Sequence, residues 1–115
     1  MTKKITLCGS TKFKEEFEKV NLTLTLAGHI VYSCAAFGHS DSIKFTEKEK
    51  DLLDLVHLRK ILESDAIFVI DVDKYIGKST SREIEWTKLL NKPIYYLTRN
   101  IYNTGGDKYY LTGIA

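Results

Sequence analysis

Ala66-Ile67-Phe68-Val69-Ile70 is an unbroken apolar run, β-branched and aromatic, with no polar alternation to mark a solvent-facing side. Such a run predicts a strand covered on both faces, the habit of a parallel sheet held between helices. Working outward, Ile5-Thr6-Leu7-Cys8 is a shorter β-prone run stopped by Gly9-Ser10, which reads as a first strand and a tight turn. Phe13, Phe17, Val20 and Leu24 then recur at spacings of four, three and four, one face of a helix over 13–26 that Gly28 ends. A second strand is expected over 29–34. An aperiodic loop follows over 35–46, of a length often given to function. Residues 47–63 carry Leu52, Leu55, Val56, Leu58, Ile61 and Leu62 among many charges and read as a second amphipathic helix. A third helix is expected over 80–90, stopped by Asn91-Lys92-Pro93, and a fourth strand over 94–97. Strands alternating with helices imply right-handed crossovers and a parallel sheet. The fold class expected is therefore α/β, a three-layer doubly wound unit of Rossmann or flavodoxin type with four to five parallel strands. The tail, 99–115, with Gly105-Gly106 and Tyr109-Tyr110-Leu111, is either a short edge strand or an arm onto another subunit.

With 115 residues, 43% of them hydrophobic and 28% charged, the chain has room for one domain and one core. Seventeen Lys and Arg stand against fifteen Asp and Glu for a net charge of +2, and the two signs alternate through 12–19 and 47–59. With no one-sign stripe, nucleic acid is not an expected partner. No apolar run approaches the ~20 residues that cross a bilayer, and Met1-Thr2-Lys3-Lys4 leads straight into a strand rather than a signal-peptide core, so the expected location is cytoplasmic, off the membrane. Cys8 and Cys34 sit in apolar strand-like runs without Cys-x-x-Cys spacing or a nearby histidine, and read as buried thiols. No His, Cys or Asp cluster has metal spacing, so neither a metal ion nor another cofactor is expected.

In an open parallel sheet, ligands gather at the carboxyl ends of the strands where the strand order reverses. Three segments land there: Gly9-Ser10-Thr11-Lys12, Phe37-Gly38-His39, and 71–81. The first offers a glycine, two hydroxyls, helix N-terminal amides and a lysine, the parts that hold a phosphate or carboxylate, or else Ser10 or Thr11 only caps the helix. It is neither a Walker loop nor a Gly-x-Gly-x-x-Gly fingerprint. The last segment runs on through Gly77-Lys78-Ser79-Thr80-Ser81-Arg82-Glu83 and puts hydroxyls and a carboxylate in the first turn of the third helix. Thr80 and Glu83 also fit a capping box, in which Glu83 would only return to the cap. Glu85 falls on another face. His39 either contacts a base or phosphate from its loop or is an exposed loop residue. His57, between Val56 and Leu58, reads as a helix-face residue.

The stretches Ile5-Thr6-Leu7-Cys8-Gly9-Ser10-Thr11-Lys12-Phe13, Asp65-Ala66-Ile67-Phe68-Val69-Ile70, Tyr75-Ile76-Gly77-Lys78-Ser79-Thr80-Ser81-Arg82-Glu83-Ile84-Glu85 and Lys92-Pro93-Ile94-Tyr95-Tyr96-Leu97 together resemble the nucleoside 2-deoxyribosyltransferase superfamily, in particular its small bacterial and phage branch related to nucleotide N-hydrolases. The resemblance covers about residues 4–98. It implies that Glu83 is a nucleophile toward the anomeric carbon of a nucleoside or nucleotide, in a mechanism similar to that of a retaining glycosidase. It also implies that Ser10, Lys12 and Ser81 hold a 5′-phosphate, with Lys12 a point charge where an arginine is usual. Gly9, Thr11, Gly77 and Ser79 belong to the same binding segments. The chain departs from the pattern at Ser79-Thr80-Ser81, where Gly-x-Gly is common, and at Gly77, where an aspartate commonly stands. Asp71 and Asp73 are the nearest replacements for that acid, or they cap the turn after the strand. Tyr109 or Tyr110 is the tail residue for a neighbour's site in a homodimer or higher homo-oligomer. Two alternatives accompany this reading: a non-catalytic nucleotide-binding or sensing module, and a glycohydrolase of NAD-type substrates.

Overall fold

A computed structural model describes residues 2–102 and 109–114, with backbone only at 101, 102, 110 and 111. Strand β1 (Lys4–Gly9) leads through α1 (Lys14–Leu26) to β2 (Ile30–Tyr32), and a long connection leads to α2 (Glu47–Glu63) and β3 (Ala66–Ile70). A 3-10 turn (Val72–Lys74), α3 (Lys78–Leu89), β4 (Ile94–Tyr96) and a one-turn α4 (Leu97–Asn100) complete the unit. The four strands form a parallel sheet in the order β2-β1-β3-β4. This is the α/β doubly wound architecture that the alternation of strands and helices predicts.

The sheet divides the core in two. Ile5, Leu7, Phe68 and Ile70 pack with Phe17, Val20 and Leu24 of α1 on one face. Cys8, Ile67 and Val69 pack with Ile61 of α2 and Ile84 of α3 on the other. All five residues of β3 are buried, as a strand shielded on both faces must be.

Several boundaries shift for local reasons. β2 is shorter than expected because His29 closes α1 instead of opening the strand. Gly28 at φ +94 lets its own N–H reach the Thr25 carbonyl and the His29 N–H reach the Leu24 carbonyl, a Schellman ending. Helix α3 begins at Lys78, two residues early, with extended Gly77 as its N-cap and no side-chain cap. Hydroxyl residues favour helix edges, and here Ser79 and Thr80 are taken into the first turn. Glu83 therefore lies in the second turn, and the capping box expected of Thr80 and Glu83 does not form. The box is at α2 instead: Thr46 Oγ1 accepts from the Glu49 N–H at 3.1 Å, and Glu49 Oε1 accepts from the Thr46 N–H at 2.9 Å. At the other end of α2, the Lys92 ammonium donates to the carbonyls of Ile61, Leu62 and Ser64 at 2.7–3.0 Å, a cation on the negative end of the helix.

The amphipathic face expected of α2 is only partly used. Ile61 is buried, but Leu52, Leu55, Val56 and Leu62 are exposed, and part of the inner side of the helix, with Leu53, Val56 and His57, borders a cavity rather than the sheet. The tail forms a two-stranded antiparallel pair, β5 (Ile101–Tyr102) with β6 (Tyr110–Leu111). Tyr109 is buried against this chain's own α1, its N–H donating to Thr23 Oγ1 at 2.9 Å. Gly105 and Gly106 lie outside the described residues, as does the side chain of Tyr110. Among the described residues no helix is long and apolar enough to cross a membrane.

Candidate functional site

The strand order reverses between β1 and β3, whose carboxyl ends lie side by side with Gly9 in register with Ile70. The two backbones approach closely there: a Cβ at Gly9 would lie 3.0 Å from both the Cβ and the carbonyl oxygen of Ile70. At this edge opens a cavity of about 800 Å³, within the usual range for small-molecule sites. Its walls come from the β1–α1 turn (Gly9, Ser10, Thr11), the 35–46 loop, the inner side of α2, and the segment from Tyr75 to Glu83.

Of the residues expected at a site, Gly9, Ser10, Thr11, His39, Gly77, Ser79 and Glu83 line this cavity. Thr80, expected only as a cap, lines it as well. Helix α3 points its uncapped N-terminus at the space, so the first-turn amides carry unmet donors and a partial positive charge. The 35–46 loop is tied down over the turn. The His39 N–H donates to Thr11 Oγ1 at 3.2 Å, Lys14 pairs with Asp41 at 3.0 Å, and Phe37 sits edge-on to Phe17.

Four expected residues fall elsewhere. The Asp71 carboxylate is buried and accepts from the Thr98 N–H at 3.0 Å and the Thr98 hydroxyl at 2.7 Å, so it holds the start of α4. Asp73 is exposed in the 3-10 turn at φ 51 and is not a wall of the cavity. Ser81 is exposed on α3 outside the cavity lining. Lys12 lays its ammonium 3.8 Å from the ring centroid of Tyr75, joining the two loops instead of lining the space. The positive charge expected of Lys12 comes from Lys44, Lys50, Lys60 and Lys78, and the second carboxylate beside Glu83 is Asp54.

A cluster of three titratable side chains joins three elements. Cys8 is the next-to-last residue of β1 and lies on the α2/α3 face, His57 faces inward from α2, and Glu83 faces inward from α3. Cys8 Sγ lies 3.6 Å from His57 Nε2, and His57 Nε2 lies 3.9 Å from Glu83 Oε2. Burial pushes Glu83 up from 4.5 to about 7; a hydrogen bond from the Cys8 thiol opposes this, the Asp54 charge adds to it, and Arg82 opposes it. Burial, with the Lys60 charge, pulls His57 down to about 4, so its imidazole is neutral at pH 7. Burial and then the Glu83 charge push the Cys8 thiol well above its ordinary value, and it stays protonated. The His57–Glu83 contact is accordingly not an ion pair.

No family model, curated protein or solved structure matches this chain.

The superfamily resemblance thus rests on the motifs themselves. Sequence reasoning missed His57 as a partner and took Cys8 for an isolated buried thiol. The usable signal was positional: His57 stands four residues before Ile61, so both share the inward side of α2. The expectation that Cys34 is buried also needs correction, since it is half-buried and lines the cavity.

Proposed function

We propose that the chain is a cytoplasmic nucleoside- or nucleotide-binding enzyme that cleaves or exchanges an N-glycosidic bond through Glu83. The observation that carries this reading is an inward-facing carboxylate on the cavity wall, within an α/β switch-point crevice whose other walls suit a phosphate-bearing ligand. The uncapped α3 terminus, Ser10, Thr11, Ser79 and four lysines against two carboxylates favour an anion.

In the proposed step an ionised Glu83 oxygen bonds to the anomeric carbon as the C–N bond breaks. The bonding pair leaves with the base, which takes a proton from water. Water or a second base then displaces Glu83, with net retention. His39 is placed to touch base or phosphate from its loop. The reading includes self-association into a homodimer or larger homo-oligomer, which sedimentation measures; a monomer would remove any shared site.

Incubation with a panel of nucleosides, 5′-monophosphates and NAD, followed by chromatography for free base, tests the activity. Release is expected from at least one substrate, at least 10³-fold less from Glu83→Ala. The rate should rise with pH about a midpoint near 7, as the carboxyl ionises. No release from any substrate, or equal release from Glu83→Ala, overturns catalysis through Glu83.

A second reading, a binding or sensing module without turnover, is favoured by one observation: neither Asp71 nor Asp73, the expected acid partners, lines the cavity. Ligand-dependent thermal stabilisation with no free base would select it.

A further inference from the structure

The carboxylate of Glu83 is only 13% exposed, and among the described residues no lysine or arginine nitrogen lies within 4.0 Å of it. Its near neighbours are the Cys8 thiol and the neutral His57 imidazole. A buried carboxylate without a cation is costly, and what surrounds this one is a set of metal-binding atoms. One ligand atom each from Cys8, His57 and Glu83 lies within 4.8 Å of the others.

The separations suit a small tetrahedral ion. With zinc bonds of about 2.3 Å to sulfur and about 2.0–2.2 Å to nitrogen and oxygen, tetrahedral angles put sulfur and nitrogen about 3.5 Å apart and nitrogen and oxygen about 3.4 Å apart. The observed distances are 3.6 Å and 3.9 Å, each within about half an ångström of those values, and the third separation, sulfur to oxygen, is within 4.8 Å. The three residues come from β1, α2 and α3, so the packed core holds their spacing. Charge also balances: a thiolate and a carboxylate meet a dication, with a neutral imidazole as third ligand. Thiolate and imidazole select a borderline-soft ion over magnesium or calcium. His57 and Glu83 line the cavity while Cys8 lies behind them, which leaves the fourth coordination position facing the space.

We propose that Cys8, His57 and Glu83 form a three-ligand site for a thiophilic divalent cation, zinc above all, at the floor of the cavity. Binding displaces the Cys8 thiol proton, and the Glu83 proton where the carboxyl is protonated, to solvent, forms one bond each to sulfur, nitrogen and oxygen, and leaves one position for water or ligand. The ion then occupies the carboxylate assigned to glycosidic attack, so zinc is an inhibitor. That consequence rests on the reading of Glu83 as nucleophile; the metal site does not.

The test is titration of the chelator-treated protein with cobalt(II), followed by displacement with zinc. One cobalt per chain is expected, with a sulfur-to-cobalt charge-transfer band that zinc abolishes. The band should vanish in Cys8→Ala, persist in Cys34→Ala, and need at least tenfold more cobalt in His57→Gln and Glu83→Gln, with circular dichroism reporting that each variant is folded. In Cys34→Ala, where Cys8 is untouched, zinc should slow alkylation of the Cys8 thiol at least tenfold. Absence of the band, its survival in Cys8→Ala, its loss in Cys34→Ala, or alkylation indifferent to zinc each overturns the site. A normal cobalt spectrum without base release from any substrate overturns the proposed function and leaves the metal site standing. Base release unchanged at saturating zinc overturns the inhibition.

Discussion

At the scale of the residue, Glu83 holds a charge that its surroundings resist. Its carboxyl is raised in the fold to about 7 from an ordinary 4.5, so the folded chain binds that proton more tightly than the unfolded chain does. The stabilising effect of the neutral form is complete below about pH 4.5 and is lost as pH rises through 7. Glu83→Gln, neutral at every pH, is therefore expected to raise unfolding stability at pH 8 by about 3 kcal/mol. The gain should fade toward zero near pH 4. Denaturant titrations at the two pH values measure it, and an equal effect at both would show that ionisation is not the cause. His57 has the opposite sense: its lowered value of about 4 gives stability above the ordinary 6.5 that is lost as pH falls through 4. Between the two, the cluster is most at ease in mildly acidic solution. Little of this was legible in the sequence, because spacing along a chain shows what shares a face and not what another element brings to that face. By spacing alone Glu83 read first as a capping residue, and as a nucleophile only through the superfamily resemblance; it was the early start of α3 that took the capping role away.

Among the elements, the strands and helices followed from periodicity almost throughout. The run from Ala66 to Ile70 and the four-three-four spacing of α1 depend on burial, and burial leaves its mark in residue type. The misplacements came where a side chain or amide serves two neighbours. His29 was assigned to β2 but is used by the end of α1. Asp71 was assigned to the cavity, but both its oxygens accept from Thr98, so it joins the end of β3 to α4. Hydrogen bonds to a buried carboxylate contribute about 1.5–3 kcal/mol, and Asp71→Ala also strands the Thr98 amide. A loss of about 2 kcal/mol is expected by chemical denaturation. If Asp71 were instead the acid of the reaction, its removal would cost turnover with little change in the denaturation midpoint.

For the whole molecule, a core shared between two sheet faces leaves the cavity as the place where stability is open to adjustment from outside. A 5′-monophosphate bound only by the folded chain, at ~100 times its Kd, should raise unfolding stability by about 2.7 kcal/mol. Differential scanning calorimetry at two ligand concentrations would detect this as a rising midpoint. A midpoint indifferent to every phosphorylated nucleoside would argue against an anion site at the α3 terminus. The chemistry of the cavity also has a position in time. The β1–α1 turn on its wall follows β1 directly, but the contact between Cys8 and His57 spans 49 residues, and Glu83 arrives later still in the chain. Loops of that length close slowly and late. A chain emerging from the ribosome as far as β2 already carries the β1–α1 turn, yet of the three-residue cluster it has only Cys8. The turn at the cavity edge is written early, and the walls and the cluster are completed only when α2 and α3 have docked.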